Sequence, residues 1–231
     1  MKLKNNPFKL LNRFELILWI ISLIVVSLSF IFTKDSGILP LCASLIGVTS
    51  LIFLAKGHNL GQILIIIFAV LYGIISIKNK YYGEMITYLG MTAPMAVVAL
   101  ISWIRHPYKE SDEVKVSSVS KKQIIVMNIF SILVTTAFYF ILRALENDSL
   151  IVSTISITTS FLASYLSALR SPYSAFMYAA NDVVLIVLWI IASVKDTGNT
   201  PMIICFIMFL INDLYGFYNW RKMEKRQNSH Q

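Results

Sequence analysis

The feature that most constrains this chain is a series of eight apolar runs, each long enough to cross a bilayer. A membrane-spanning helix needs about 20 mostly apolar residues. The eight runs cover residues 14–33, 37–56, 60–78, 83–104, 122–143, 149–169, 173–194 and 199–220. Backbone polar groups in lipid must be hydrogen-bonded within the structure, so we predict that these runs are helices. The predicted fold class is an all-α integral membrane protein with about eight transmembrane helices.

The composition supports a membrane protein over a soluble one. Hydrophobic residues make up 57% of the chain and charged residues 14%, whereas soluble domains have about 45–50% and about 25%. The net charge of +8 lies between the apolar runs and at the two ends, which is the membrane pattern and argues against nucleic acid as a partner. Cys42 and Cys205 fall inside apolar runs and are interpreted as buried thiols. The run that begins at Phe14 is too long for a signal peptide and is interpreted as a retained helix.

The basic residues predict the topology. With eight spans, both termini and the loops after the second, fourth and sixth spans lie on one side, which carries 15 of the 20 Lys and Arg residues. They are Lys2, Lys4, Lys9, Arg13, Lys56, Arg105, Lys109, Lys115, Lys121, Lys122, Arg170, Arg221, Lys222, Lys225 and Arg226. The positive-inside rule therefore predicts a multi-pass protein of the cell membrane with both termini in the cytoplasm.

A weak internal repeat divides the chain. The segment SLIGVTSLIFLAKGHN resembles SITTSFLASYLSALRSPY, which matches Lys56 to Arg170, and each copy ends on a tryptophan, Trp103 or Trp220. The predicted order is one extra helix, three helices, one linker and three helices. The predicted parts are 1–35 (extra helix), 36–104 (first bundle), 105–145 (loop and linker), 146–222 (second bundle) and 223–231 (polar tail). Parallel repeats of this kind are a transporter architecture, with substrate bound near the midplane.

Polar residues at the middle of the last three spans are candidates for a binding site. A charged group at the bilayer centre costs roughly 2.5–3.5 kcal/mol, so each one needs a reason. The candidates are Thr158, Thr159 and Ser160, then Asn181 and Asp182, then Asn212 and Asp213. Tyr178 and Trp189 share the helical face of Asp182, and Tyr215 shares that of Asn212. The alternative is that these groups only form hydrogen bonds between helices; Asp213, about 100° from Asn212, is either structural or a proton carrier.

The first half of the chain offers fewer candidates. Gln62, near the cytoplasmic end of the third span, either lines a substrate path or is an interfacial amide. Glu84, near the outer edge, is a gate residue or an interfacial charge. In the second half of the chain, Thr158 and Trp189 are further gate or path candidates. Pro94 is expected to kink the fourth span. The tryptophans are interpreted mainly as interface anchors.

Enzyme chemistry is not predicted. The three histidines lie in loops or the tail without metal-ligand spacing, and the chain contains no P-loop. We therefore predict no catalytic residue, no metal and no cofactor.

Several segments together resemble the PnuC family of vitamin transporters. They are KNKYYGEMITYLGMTAPMAVVALISW, LAKGHNLGQILIIIFAVLYGIIS, SITTSFLASYLSALRSPYSAFMYAANDVVLIVLW and LINDLYGFYNWRK, which span about 14–222. The resemblance implies nicotinamide riboside as substrate, with thiamine, riboflavin or deoxynucleosides for related members. It also implies a fold like that of the SWEET sugar transporters, facilitated diffusion with trapping by a cytoplasmic kinase, and a homo-oligomer, a trimer by family resemblance.

One departure from the family bears on the substrate. The resemblance implies two substrate-binding tryptophans in the seventh span, where this chain has Phe176 and Ala179 with Tyr178 close by. The later polar pair of that span corresponds to Asn181 and Asp182, and the glutamine of the third span to Gln62. A smaller aromatic platform stacks a pyridine or pyrimidine less tightly or admits a different ring.

The leading hypothesis is a membrane carrier for nicotinamide riboside or a similar nucleoside-like vitamin precursor. Its predicted substrate-binding residues are Gln62, Phe176, Tyr178, Asn181, Asp182, Asn212 and Tyr215. Two alternatives stay open: a proton-coupled carrier of deoxynucleoside, thiamine or riboflavin, and a non-transporting membrane scaffold or sensor. The predicted partners are a small-molecule substrate and the lipid bilayer.

Overall fold

The eight predicted spans are present as helices in the structure, a computed structural model that describes residues 7–33, 37–78, 82–109, 111–147 and 149–229. The helices are α1 (Arg13–Phe32), α2 (Ile38–Ala55), α3 (Asn59–Lys78), α4 (Tyr82–Thr87), α5 (Ala93–Arg105), α6 (Lys121–Ala144), α7 (Leu150–Ala168), α8 (Tyr173–Lys195) and α9 (Thr200–Asn228). Eight helical stretches of the described chain are long and apolar enough to cross a membrane. The predicted turn at 34–36, together with Lys2, Lys4, Lys80 and His230, lies outside the described residues.

The fourth span is built from α4, a π-helical segment (Tyr88–Thr92) and α5. Pro94 lies in the first turn of α5, where its missing N–H leaves a gap in the helical hydrogen bonds. The N–H of Ala93 donates to the carbonyl of Tyr88, five residues back, which is the wider spacing of a π-helix. A π-helical segment therefore lies directly before Pro94, and the kink itself stays a prediction.

Six helices form a closed ring in which each contacts the next. The order is α2, α3, α5, α7, α8 and α9, and α9 returns to α2. Outside the ring, α1 packs against both α2 and α9, and α6 packs against α7. The ring therefore has a polar interior distinct from its lipid-facing surface, and α1 covers the contact between α2 and α9.

One end of the ring carries the loops that the topology prediction placed together. The N–H of Val114, in the loop after α5, donates to the carbonyl of Gly57, in the turn after α2 (2.9 Å). The N–H of Ser117 donates to the carbonyl of Arg170, in the turn after α7 (3.0 Å). The N–H of Val116 donates to Oε1 of Gln227 at the end of α9 (2.8 Å). We call this end the basic face and the other end the opposite face.

The helices α2 and α7 end in the same way at the basic face. Gly57 and Arg170 have left-handed backbone conformations, with φ of 63° and 59°. Each donates its N–H to the carbonyl three residues back, and the next residue donates to the carbonyl five residues back. This is the Schellman helix end, which favours glycine at the left-handed position. By local geometry the counterpart of Arg170 is therefore Gly57, one residue beyond the Lys56 that sequence matching selected.

The first helix is joined to the ring by a buried carboxylate. Glu15 is fully buried, and its Oε1 accepts a hydrogen bond from the Tyr215 hydroxyl of α9 (2.7 Å) and pairs with Lys56 Nζ (3.2 Å). Its Oε2 accepts from the N–H of Asn12, which completes a capping box at the start of α1. Further along, Asn212 donates to Ser22 Oγ (3.0 Å). These contacts make α1 part of the packed structure and fix it across α2 and α9.

We expect Glu15→Gln to destabilise the protein by about 2 kcal/mol, because hydrogen bonds to a charged group contribute about 1.5–3 kcal/mol and a neutral amide also loses the ion pair with Lys56. The measurement is thermal unfolding in detergent. Glu224→Gln is the matched control, because Glu224 pairs with Arg221 one turn away at the surface, where ion pairs contribute about 0–1 kcal/mol. Equal melting temperatures for the two variants would contradict the role given to Glu15.

Candidate functional site

The interior of the ring carries a column of polar side chains. Near the basic face, Gln62 of α3 donates from Nε2 to Ser167 Oγ of α7 (2.9 Å), and both are buried. Next to them, Tyr178 of α8 and Ser164 of α7 share a hydrogen bond of 3.2 Å. Gln62 and Tyr178, predicted separately as site residues, thus both face the ring interior and both contact α7.

Two aspartates meet further along this column. Asp182 of α8 and Asp213 of α9 are buried, and their carboxyl groups lie within hydrogen-bonding reach of each other. A hydrogen bond between two carboxyl groups requires a proton on at least one of them. Asp182 Oδ2 has no hydrogen-bond partner among the described residues. Tyr88 and Cys205 lie within electrostatic range of Asp182.

Asn181 and Thr158 are engaged with neighbouring helices. Oδ1 of Asn181 accepts hydrogen bonds from Ser156 (3.1 Å) and Thr159 (2.8 Å) of α7. The hydroxyls of Thr158 and Thr135 of α6 lie 2.8 Å apart, so Thr158 lies at the contact of α7 with α6. For these two residues the geometry fits the interhelical alternative, although Asn181 keeps its Nδ2 for other partners.

The remaining candidates are dispersed. Asn212 and Tyr215 contact Ser22 and Glu15 of α1, on the side of α9 away from Asp182. Phe176 is 50% exposed on the outer surface and packs on Phe217. The sequence grouped these three with Asn181, and the structure separates them from it. The residues are separated because α9 contacts α1 on one side and the helices of the ring on others. Polar residues on different sides of α9 therefore meet different neighbours.

A wide vestibule enters the ring from the opposite face. Its volume is about 710 Å³, and it is lined by the end of α1, the starts of α2 and α9 and the turn at 196–199, with Tyr72 of α3 and Trp189 of α8 on its inner side. The rings of Tyr72 and Trp189 meet edge to face with centroids 6.3 Å apart. Trp189 lies seven residues after Asp182, hence on the same face of α8. Glu84, in α4, is half-buried and within electrostatic range of Tyr88, which in turn packs on Tyr72.

The basic face, in contrast, is closed by two tryptophans. Trp103 and Trp220 are 1% and 2% exposed, and their rings contact each other with centroids 5.4 Å apart. Their interpretation as interface anchors is wrong, because both side chains lie inside the protein. Between this pair and Asp213 the ring interior narrows to a cavity of about 20 Å³, room for about one water molecule.

Each tryptophan also joins two helices by hydrogen bonds. Trp103 Nε1 donates to the carbonyl of Ser167 (2.8 Å), and the preceding Ser102 donates to that of Ala168 (2.7 Å). In the same pattern, Trp220 donates to the carbonyl of Leu54 and the preceding Asn219 to that of Ala55, both at 2.8 Å. We call these two pairs the α5–α7 clasp and the α9–α2 clasp. They use carbonyls of the last helical turn, where the regular helical donors run out; the Leu54 and Ser167 carbonyls also accept the N–H groups of Gly57 and Arg170.

The loop after α5 covers the tryptophan pair. Val114 is 1% exposed and packs with Trp103 and Trp220. Gln227 holds the loop by donating to Glu113 Oε1 (2.8 Å) and to the carbonyl of Val114 (3.1 Å), and Arg226 pairs with Glu113. The basic face therefore has two layers of closure, the aromatic pair and the loop beneath it.

Several interior residues were not predicted from the sequence as site residues. Tyr72, Tyr88 and Ser167 lie in apolar or serine-rich helical runs, where nothing distinguishes them from lipid-facing residues. The sequence did mark Trp103 and Trp220, because each of them ends one copy of the internal repeat.

The comparisons with known proteins agree with this architecture. The family described as "Nicotinamide mononucleotide transporter" matches residues 37–222. The chain belongs to this transporter family, the PnuC family. A nicotinamide riboside transporter PnuC from Neisseria mucosa is 26% identical over 94% of this chain and 84% of its own length. One from Haemophilus influenzae is 25% identical over 92% of both chains.

A solved structure extends the match to the fold. The crystal structure of the vitamin B3 transporter PnuC superposes with a TM-score of 0.80 and 26% identity, covering 94% of each chain. The all-helical membrane fold and the PnuC family are thereby confirmed. The matched relatives are transporters, so the prediction that the chain is not an enzyme is confirmed as well, and the scaffold alternative loses its support.

We expect Trp103→Phe combined with Trp220→Phe to open the basic face, since each change keeps an aromatic ring but removes a hydrogen bond to a helix-end carbonyl. The measurement is the rate at which Ser174→Cys, in a background without Cys42 and Cys205, reacts with a water-soluble thiol reagent. Ser174 is buried and lines the small cavity above the tryptophans. Loss of two hydrogen bonds of about 1 kcal/mol each should raise the rate roughly thirtyfold.

The matched control is Trp19→Phe, which removes a single indole hydrogen bond, from Trp19 Nε1 to Thr49 Oγ1 (3.1 Å), where α1 meets α2. In the Trp19→Phe variant, Ser174→Cys should react with the reagent at the same rate as in the protein with all its tryptophans. A faster reaction in the control, or an unchanged one in the double variant, would contradict a closing role for the tryptophan pair.

We expect His58 to make stability depend on pH. Burial at the basic face lowers the pKa of His58, while the nearby Asp112 partly offsets this. Nδ1 of His58 accepts the N–H of Leu60 (3.1 Å), a bond that protonation would remove. Since the unfolded chain binds the proton more readily, the stabilisation is complete above about pH 6.5 and declines at lower pH. Unfolding temperatures between pH 7.5 and 5 should fall more steeply in the wild type than in His58→Gln. His106→Gln, at an exposed histidine, should keep the wild-type slope.

Proposed function

We propose that this protein takes up nicotinamide riboside, or a similar nucleoside-like vitamin precursor, by facilitated diffusion, with trapping by phosphorylation in the cytoplasm. The observation that carries the proposal is the polar column of the ring, which lies between an open vestibule and a closed basic face in a chain of the PnuC family. Relatives over nearly the full length are nicotinamide riboside transporters. A carrier needs such a column, because a polar substrate loses its hydration in the middle of the membrane and needs hydrogen-bond partners there.

The buried side chains favour the riboside over the phosphorylated mononucleotide that the family description names. Phosphate recognition in proteins commonly uses arginine or lysine. No lysine or arginine is buried among the described residues, whereas amides, hydroxyls and carboxyls are. These groups suit the hydroxyls of a ribose and the amide of a nicotinamide ring.

We place the substrate around Gln62, Tyr178, Asn181 and Asp182, with Trp189 on the path from the vestibule. In this proposal Asn212 and Tyr215 support the site indirectly, by holding α1 against α9. Phe176 faces the lipid and has no direct contact with substrate. Glu84, at the opposite face near Tyr88, remains a candidate gate residue.

Transport would proceed by rocking of the two bundles, 36–104 and 146–222, around the bound substrate. The α5–α7 and α9–α2 clasps each join one bundle to the other, so both would break when the basic face opens. The positive-inside rule places that face in the cytoplasm, together with both termini. Opening would then release the substrate to the compartment where it is phosphorylated.

Proton coupling is the second candidate, and one observation favours it. Asp182 and Asp213 touch in the ring interior, and two carboxyl groups this close are able to share a proton. A carrier that lost this proton on one side of the membrane could couple its cycle to a pH gradient.

Uptake by reconstituted vesicles separates the two candidates. Vesicles that contain the pure protein should take up labelled nicotinamide riboside until its concentration is equal inside and outside. This uptake should need no pH gradient and should not be inhibited by a protonophore. Encapsulated kinase and ATP should then raise the total label inside. Accumulation above the external concentration that collapses with the protonophore would favour proton coupling, and no uptake at all would reject the proposed substrate.

We expect Asp182→Ala and Asn181→Ala each to weaken binding of nicotinamide riboside, by roughly tenfold, since one buried hydrogen bond or charge contact is worth about 1–3 kcal/mol. Thr135→Ala is the matched control, because it removes a half-buried interhelical hydrogen bond to Thr158 at the contact with α6. The measurement is calorimetric titration of protein that has inserted and purified normally. Wild-type affinity in both test variants would reject this site.

We keep the homo-oligomer, a trimer by family resemblance, as part of the proposal. Mass measurement of the protein in detergent by native mass spectrometry tests it, with three copies as the expected result and a single copy as the contradicting one.

A further inference from the structure

The strongest unexplained feature of the ring interior is a pair of buried aspartates that have no basic side chain as partner among the described residues. Asp182 and Asp213 are 4% and 6% exposed and touch each other. Within the described part of the chain, neither forms an ion pair with lysine, arginine or histidine. Burying a carboxyl group away from water is costly unless a partner compensates it.

Glu15, another buried acid, has partners that compensate for the cost of its burial. Glu15 has Lys56 as a cationic partner, Tyr215 as a hydrogen-bond donor and the N–H of Asn12 as a further donor. Asp182, in contrast, has one oxygen, Oδ2, without a hydrogen-bond partner among the described residues. A structural role, which Glu15 satisfies in full, does not account for an acid that is left incomplete.

Aromatic groups lie near the aspartate pair. Tyr178 and Tyr88 both lie within electrostatic range of Asp182, and Trp189 follows on the same face of α8. The faces of tyrosine and tryptophan rings attract cations, and rings of this kind recognise quaternary nitrogen in many proteins. Carboxyl groups with aromatic neighbours are therefore suited to a flat organic cation, whose charge is spread over a ring.

The position of the pair is also that of a binding site. On one side, the vestibule reaches Trp189 and Tyr72. On the other side, Asp213 lines the small cavity that ends at Trp220. The aspartates thus lie between the open end of the ring and its closed end, where a substrate in transit has to pass.

We propose that Asp182 and Asp213 supply the counter-charge for an organic cation, so that this protein selects substrates with a positively charged heteroaromatic ring over neutral ones of similar shape. This inference rests on the proposed function and narrows its substrate class. Nicotinamide riboside, whose pyridinium nitrogen carries a positive charge, belongs to the class. Thiamine, with a thiazolium ring, belongs to it too, whereas riboflavin and deoxynucleosides do not.

The experiment compares ligands that differ in charge. Purified protein is titrated with nicotinamide riboside, with its reduced 1,4-dihydro form, which keeps the amide and the ribose but is neutral, with thiamine and with uridine. We expect the wild type to bind nicotinamide riboside at least about tenfold more tightly than the reduced form. Asp182→Asn and Asp213→Asn should each reduce this preference to about threefold or less, through weaker binding of the cation and unchanged binding of the neutral form.

Glu15→Gln is the matched control, because it neutralises a buried acid of α1, the helix that lies outside the ring; with titrations normalised to folded protein, it should keep the full preference. Equal binding of the two riboside forms by the wild type, or equal losses for both forms in the aspartate variants, would overturn the inference and leave the proposed function standing. Binding of thiamine alone would overturn the proposed substrate and support charge selection. Binding of none of the four would overturn both.

Discussion

The carbonyl groups at the ends of α2 and α7 are the constraint around which the basic face is organised. A helix leaves its last carbonyls without internal partners, and in a membrane protein they need other donors. Here the neighbouring helices supply donors, with Trp103 and Ser102 for α7 and Trp220 and Asn219 for α2, and the local N–H groups of Arg170 and Gly57 add to them. Because the side-chain donors lie on helices of the other bundle, the same hydrogen bonds cap the helix ends and join the two bundles at the basic face.

The polar residues of the membrane interior serve two different purposes. Those on the outer sides of the helices, such as Asn212 with Ser22 and Thr158 with Thr135, form interhelical hydrogen bonds. Such bonds are a common way to fix one membrane helix against another. Those on the inner side, around Gln62 and Asp182, lie in the ring interior between the vestibule and the tryptophan pair. Among the described residues, Asp182 combines this position with an oxygen that has no hydrogen-bond partner.

Much of the fold could be predicted from the sequence, because apolar length is a strong signal in a membrane protein. The helix bounds agree with the predicted spans to within one or two residues at most ends, and Pro94 marked the irregularity of the fourth span. The site was harder to predict, since helical periodicity assigns residues to a face but does not say which neighbour that face meets. Asn212 and Asp213 illustrate the difficulty: they are adjacent, yet one meets α1 and the other meets Asp182. The inward position of Trp103 depends on a contact with Ser167, 64 residues away, that no local pattern contains.

The buried Glu15 has a consequence for how the protein is made. Its hydrogen-bond partner Tyr215 lies 200 residues further along the chain, in the last helix. Since synthesis proceeds from the N-terminus, α1 enters the membrane with its carboxyl group long before the hydroxyl that completes it exists. Lys56, in the turn after α2, is available to Glu15 early, but the full set of partners exists only once α9 is in place. A chain that stops short of α9 would keep an incompletely paired acid in its first helix.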